Sequence, residues 1–109
     1  MRLIIGNIYQ GRHNFARQKY GNNISIMDDL EDFVRDNMAE ETIEKVVQKA
    51  LEYAGQADVV IASEGYGGLT QIEEEERLYA KAYGETLTAL AREAESVERV
   101  VCGLGMSMK

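Results

Sequence analysis

The sequence predicts an α/β fold of three layers, in which a mainly parallel sheet of about four strands has helices on both faces. Four short apolar runs are nearly continuous rather than alternating, which is typical of strands covered on both faces. Segments with helical periodicity separate these runs, and this alternation favours parallel pairing with right-handed crossovers. A length of 109 residues predicts one domain, 1–109, with a core of its own. The predicted strands are Leu3–Ile5, Ile24–Met27, Val59–Ala62 and Val100–Cys102.

Three helical segments are predicted between the strands. The first is His13–Tyr20, directly after a glycine-rich loop. Apolar residues at helical spacing predict a second helix, with Asn37 as N-cap, Glu40 at its third position and Gly55 past its end. A longer third helix opens on the capping-box pattern Thr70–Glu73, and the acidic residues of its first turns suit the helix dipole.

Composition and charge exclude several classes of partner. The formal net charge is −7, with 19 acidic and 12 basic residues and no basic stripe, which argues against polymeric nucleic acid and anionic membranes. No apolar run approaches the ~18 residues of a membrane span, and the N-terminus lacks a signal pattern. Cys102 is the single cysteine and lies in an apolar run, which predicts a buried thiol and a cytoplasmic protein.

The most informative segment is the loop that follows the first predicted strand. Gly6 and Gly11, with four residues between them, have the frame of a phosphate-binding loop, in which backbone N–H groups and a helix N-terminus bind phosphate. That frame requires Lys and then Ser or Thr at the next two positions, where this chain has Arg12 and His13. In a working loop the lysine reaches the outer phosphates and the hydroxyl binds Mg²⁺.

Arg12 and His13 change the chemistry of this loop. Arg12 keeps the positive charge and can bind phosphate through two N–H groups, although it is bulkier than lysine. His13 has no hydroxyl, and its ring nitrogen is a poor ligand for Mg²⁺; exposure at the start of a helix is the simpler interpretation of this residue. The loop is therefore either a phosphate site with altered side chains, or a strand-to-helix turn that uses glycine for backbone geometry alone.

Two carboxylates follow other strands at the same predicted edge, where α/β sheets bind their ligands. Asp28 ends an apolar run, which is where nucleotide-binding sheets hold Mg²⁺. The alternative is a cap for a short helix from Leu30, a role for which Asp29 competes. Glu64 ends another run, before glycines that include Gly68. It is a candidate to contact a ligand hydroxyl, a base or metal-bound water, the alternative being a solvated turn.

Taken in order, these segments resemble the bifunctional adenosylcobinamide kinase / adenosylcobinamide-phosphate guanylyltransferase family of cobalamin biosynthesis. The matching segments are Leu3–Gly6 with Gly11-Arg12 and Asn14–Ala16, Ile24–Met38, Ala62–Gly68, and, in the more specific C-terminal half, Glu76-Arg77, Gly84, Leu90-Ala91 and Val97–Leu104. The resemblance implies a P-loop NTPase-like fold, GTP or ATP with Mg²⁺, and phosphoryl transfer to a cobinamide hydroxyl. The site residues that it implies are Gly6, Gly11, Arg12, His13 and Gly68 for the nucleotide, Asp28 for the metal, and Arg12, Asp28 and Glu64 for catalysis.

The chain also departs from the family's pattern. Family members are longer, and the segment missing between Tyr20 and Ile24 carries the histidine motif that accepts the guanylyl group. The lysine and serine of the loop are replaced, and Gly84–Leu87 lacks the family's Arg and Asn. We therefore expect a shortened, divergent pseudoenzyme that binds nucleotide, with kinase and guanylyltransferase chemistry weakened or lost. The alternatives are a non-catalytic scaffold that assembles into homo-oligomers, and a binding protein for a corrinoid or another small anion.

Overall fold

Four helices and five strands make up the part of the chain that the structure, a computed structural model, describes: residues 1–39, 41–64 and 73–109. All four predicted strands are present, Val59–Ala62 with its predicted bounds and the other three with shifted ends, and a fifth strand is added at the C-terminus. In chain order the elements are β1 (Arg2–Ile5), α1 (Arg12–Tyr20), β2 (Ile26–Met27), α2 (Leu30–Asn37), α3 (Ile43–Ala54), β3 (Val59–Ala62), α4 (Glu74–Glu93), β4 (Val97–Val101) and β5 (Leu104–Ser107).

The strands form one mixed sheet in the order β2-β3-β1-β4-β5. β3 and β4 both pair with β1 in parallel, β2 pairs with β3 in parallel, and β5 is antiparallel to β4. Ile5 lies opposite Ala62 of β3 and Arg99 of β4, so the carboxyl ends of the central strands meet at one edge. The prediction of a mainly parallel α/β sheet is confirmed, with five strands rather than about four.

The added strand β5 follows β4 through a two-residue turn. Cys102 and Gly103 have φ angles of 52° and 75°, and two successive residues with positive φ are typical of a tight hairpin. Cys102 is exposed in this turn, so the prediction of a buried thiol is wrong. The reason is that the last apolar run leaves the core: Val101 is exposed at the end of β4, and β5 is exposed along its whole length.

The two faces of the sheet are covered unequally, because residues that alternate along the central strands point to opposite sides. On one face α2, α3 and α4 pack against Leu3 and Val60, and we call this the large core. On the other face α1 packs through Ala16, and we call this the small core; its buried residues are Ile4, Ala16, Val59, Ile61 and Val100. Helices therefore lie on both faces, as predicted.

Polar contacts also attach α1 to the sheet. Glu98 of β4 is buried, and it accepts hydrogen bonds from Lys19 Nζ (2.5 Å) and from the hydroxyl of Tyr20. The hydrogen bond to Glu98 raises the pKa of Lys19, so its ammonium group stays charged. Phe15 packs directly against Gly105 of β5, where a side chain would overlap its ring. The position of α1 thus depends on a buried carboxylate and on a glycine, as well as on apolar contact.

The start of α3 differs from the prediction. Thr42 is its N-cap and accepts a hydrogen bond from Lys45 N at 3.4 Å, so the helix begins at Ile43. Asn37, which was predicted as the N-cap, is instead the last residue of α2, where its Nδ2 donates to Phe33 O at 2.8 Å. That prediction is wrong because the apolar residues of the stripe lie entirely within Ile43–Ala54, and Thr42 directly precedes them as the cap.

The long helix α4 starts after Glu73, and it buries Tyr79, Tyr83 and Leu90 at helical spacing. Residues 70–72 of the predicted capping box lie outside the described residues, as does Glu40. Among the helices that the structure describes, none is long and apolar enough to cross a membrane.

Candidate functional site

Three of the predicted site segments meet at the carboxyl edge of the parallel strands. The loop Gly6–Gly11 leaves β1, Asp28 follows β2, and Ser63 and Glu64 follow β3. Since β3 lies between β1 and β2 in the sheet, these segments leave neighbouring strands. Gly68, which the resemblance assigns to nucleotide binding, lies outside the described residues.

Both glycines of the loop are required by its backbone. A Cβ at Gly6 would lie 2.6 Å from Val100 O, which is closer than real side chains approach. Gly11 has a φ of 81°, in the left-handed region that favours glycine. It is also the N-cap of α1, and no side chain caps this helix. The first turn of α1 therefore presents backbone N–H donors beside the loop.

The turn between β4 and β5 holds the loop in place. Gln10 accepts a hydrogen bond from Gly103 N through its backbone oxygen (2.8 Å) and another from Cys102 N through its side-chain Oε1 (2.7 Å). These two bonds join distant parts of the chain, since Gln10 and Cys102 are 92 positions apart. The hairpin that the sequence did not predict thus has a role at the site, because it fixes the end of the loop.

Arg12 folds back toward the start of the loop. Its Nη1 donates to Gly6 O at 3.2 Å, and the side chain is half-buried. This bond uses one of the five N–H donors of a guanidinium group, so donors remain for an anion. Arg12 therefore fixes a positive charge between the loop and the first turn of α1.

His13 and Asp28, which were predicted as separate site residues, are hydrogen-bonded to each other. His13 Nε2 lies 2.9 Å from Asp28 Oδ2, and the two side chains are 44% and 55% exposed. Asp28 does not cap α2, because Asp29 occupies that position and accepts a hydrogen bond from the Tyr53 hydroxyl at 3.1 Å. The edge of the sheet thus carries a partly exposed imidazole–carboxylate pair.

A groove of about 430 Å³ lies beside the loop and this pair. Its volume is within the range of small-molecule sites, about 300–1,000 Å³. Tyr9 contributes a ring that is 93% exposed, and it was not predicted as a site residue although it lies within the glycine frame. The groove combines a cation, backbone donors and an aromatic surface. Its lining residues are Ile8, Tyr9, Gly11, Arg12, His13, Asn14 and Asp28.

Glu64 forms a two-point ion pair with Arg99 of β4. Arg99 Nε donates to Glu64 Oε1, and Arg99 Nη2 donates to Oε2 at 3.1 Å. The hydrogen bond from Arg99 lowers the pKa of Glu64, which is therefore ionised at neutral pH. Sequence reasoning missed Arg99; the only signal was a pair of charged residues, Glu98 and Arg99, in a strand that otherwise consists of valine. Both oxygens of Glu64, the carboxylate that was expected to contact a ligand, are therefore bonded to Arg99.

Buried tyrosines of α4 fix the end of β3. The Tyr83 hydroxyl donates to Ser63 O at 2.7 Å, and the Tyr79 hydroxyl donates to Glu31 O at 3.2 Å. Burial raises the pKa of Tyr83, which keeps its hydroxyl a neutral donor. Because Ser63 directly precedes Glu64, this contact also helps to hold the backbone of Glu64 in position for its ion pair with Arg99.

The donors at this edge do not suit the Mg²⁺ that the resemblance implies. Mg²⁺ requires oxygen ligands in near-octahedral geometry. His13 supplies a ring nitrogen, Asp28 already accepts a hydrogen bond from His13, and Glu64 is held by Arg99. Across residues 1–39, 41–64 and 73–109, no three His, Cys, Asp or Glu side chains are grouped so as to hold a metal ion.

Comparison with models of known protein families and with curated proteins found no match. The family resemblance therefore remains a prediction from the sequence.

Proposed function

We propose that this chain binds the phosphate groups of a nucleotide at the loop Gly6–Gly11 and the N-terminus of α1. The observation that carries the proposal is the position of Arg12, whose guanidinium lies against the loop and lines the adjoining groove. The first turn of α1 adds N–H donors and the positive end of the helix dipole. These groups supply local positive charge for an anion in a protein whose net charge is −7.

The nucleotide is GTP or ATP in this proposal, as the family resemblance implies, and the fold is then P-loop NTPase-like. The order of strand, glycine loop and helix through β1 and α1 agrees with such a fold. Tyr9 favours a nucleotide over free phosphate, because an exposed ring at the groove can stack on a base.

Phosphoryl transfer is weak or absent in this proposal. The reaction depends on positioning and on charge stabilisation by a metal, a basic residue and an oriented acid. Asp28 and Glu64, the two acids assigned to those roles, are each bonded to a basic side chain of the protein. Arg12 supplies charge in place of lysine, but its planar head has a different shape and hydration. The chain therefore keeps nucleotide binding and not phosphoryl transfer in this proposal.

Isothermal titration calorimetry with GTP and with ATP tests the proposal. We expect saturable binding by the wild type and an affinity lowered about tenfold or more in Arg12→Ala, because a hydrogen bond to a charged group contributes about 1.5–3 kcal/mol. Arg17→Ala is the matched control, since it removes the same charge from an exposed position of α1 outside the groove. No heat at millimolar nucleotide, or equal losses in the two variants, would contradict the proposal.

A non-catalytic role in assembly is the second candidate, and the exposed strand β5 favours it. Leu104, Met106 and Met108 are 73%, 45% and 62% exposed, and β5 lies at an edge of the sheet. An edge strand without charged or proline residues is open to pairing with another chain. Sedimentation velocity tests this candidate: self-association that Leu104→Lys abolishes would favour it, and a monomer at every concentration would exclude it.

A further inference from the structure

The His13–Asp28 pair lies where a phosphate-binding loop holds its divalent cation. In such loops the second residue after the last glycine supplies a hydroxyl to Mg²⁺, and an acid at the end of a strand completes the site. His13 is at that position of the frame, and Asp28 follows β2. Here the two side chains bond to each other, at 2.9 Å between Nε2 and Oδ2.

The pair removes both groups from metal binding. An imidazole nitrogen is a poor ligand for Mg²⁺, and a cation at Asp28 would have to displace the hydrogen bond from His13. Glu64, the other carboxylate that was assigned to the site, is held at both oxygens by Arg99. A bound cation would therefore compete with two existing contacts and gain few oxygen ligands from the protein.

The same pair improves the groove for an anion that arrives without a cation. Asp28 lines the groove, and an unpartnered carboxylate there would repel phosphate. The hydrogen bond from His13 offsets that repulsion, while Arg12 and the N-terminus of α1 attract the anion. Part of the charge that Mg²⁺ would otherwise neutralise is thus offset by Arg12 and by the N-terminus of α1.

We propose that this chain binds its phosphate-bearing ligand without a divalent cation, with the His13–Asp28 pair in the place of the metal. This inference rests on the proposed function, because it concerns the same groove. It differs from that function in predicting no requirement for Mg²⁺, which can be measured separately.

The test is a pair of calorimetric titrations of the wild-type chain with GTP, one in EDTA and one in excess Mg²⁺. We expect saturable binding in EDTA, and an affinity that Mg²⁺ leaves equal or lowers by a few-fold, because the metal reduces the charge of the nucleotide. Binding that Mg²⁺ strengthens by about tenfold or more overturns this inference alone and leaves the proposed function in place. No binding in either buffer overturns both.

Two variants of the pair give opposite signs in the same assay. Asp28→Asn removes a negative charge from the groove, so we expect tighter binding in EDTA, by roughly two- to fivefold. His13→Ser exposes the Asp28 charge and restores a hydroxyl, so we expect weaker binding in EDTA and a strengthening by Mg²⁺ that the wild type lacks. Binding by Asp28→Asn that is weaker than the wild type in excess Mg²⁺ but not in EDTA is the behaviour of a metal ligand and overturns the inference. Circular dichroism of both variants confirms that their folds are intact.

Discussion

The two faces of the sheet are built by different means. On the large core, three helices bury aliphatic and tyrosine side chains, and Val34, Val46 and Leu90 are fully covered. On the small core, a single helix buries one residue of its own, Ala16, and is held by the Glu98 contacts and by Gly105. The candidate site lies at the N-terminus of that single helix.

This difference implies that the large core mainly determines the stability of the protein, whereas the small core determines the position of the candidate site. Among the residues that the structure describes, the large core holds most of the buried apolar side chains, and it includes no residue of the phosphate loop. The small core adds little apolar area, yet it sets the position of α1 and therefore of Arg12 and His13. We expect substitutions on the large core to lower stability, and substitutions beneath α1 to affect ligand binding at a smaller cost in stability.

Leu90→Ala gives the largest expected effect and tests the first half of the comparison. Leu90 is fully buried in α4, so its truncation should lower the free energy of unfolding by about 2–5 kcal/mol. Urea unfolding followed by circular dichroism measures this change. The folded fraction should bind GTP with the affinity of the wild type. A loss of affinity in fully folded protein would contradict the idea that the large core affects stability without affecting ligand binding.

Gly105→Ala tests the second half of the comparison. The added methyl group would overlap the ring of Phe15, so α1 must shift or Phe15 must leave its position, at a cost of about 1–3 kcal/mol. Because α1 carries Arg12, we expect GTP affinity to fall as well. Gly84→Ala is the control, since a Cβ at Gly84 has no close neighbour. If Gly105→Ala lowered stability and left affinity unchanged, α1 would not be the link between the small core and the site.

Lys19→Met should have the smallest effect on stability, and it tests whether the charge of Lys19 contributes to its contact with Glu98. The pKa of Lys19 is raised above its usual value of 10.5, chiefly by the hydrogen bond to Glu98. Because the pKa of Lys19 is higher in the folded chain than in the unfolded chain, the protonated side chain stabilises the fold. This contribution is fully present below the pKa of the unfolded chain, and it is lost as the pH rises through the pKa of the folded chain. The wild type should therefore exceed Lys19→Met in stability at neutral pH and approach it in alkali. A constant difference from pH ~7 to ~11 would show that the ammonium charge is not involved.

Much of the fold could be predicted because the central strands are continuous apolar runs that can only be buried. Val59–Ala62 is the clearest case, since it is buried at every position and its predicted bounds match the structure. β5 could not be predicted in this way, because all four of its residues are exposed and the first residue of the turn before it is a cysteine rather than the usual asparagine, aspartate or glycine.

The site was predictable in its backbone and not in its pairings. The spacing of Gly6 and Gly11 marked the loop, because close approach and a positive φ each demand glycine. The partners of Asp28 and Glu64 depend on strand order, which joins residues 15 and 35 positions apart in the chain. No local pattern carries that information, so the histidine and arginine that hold these acids could be found only from the structure.

Nucleotide binding at the loop Gly6–Gly11 is tested most directly by titrating the ¹⁵N-labelled wild-type chain with GTP in EDTA and following two-dimensional amide NMR spectra. We expect the backbone signals of Gly11, Arg12 and His13 to move progressively and saturate, while those of buried residues in α3 such as Val46 stay in place. Spectra that do not change at millimolar GTP, or shifts confined to the opposite edge of the sheet, would contradict nucleotide binding at this loop.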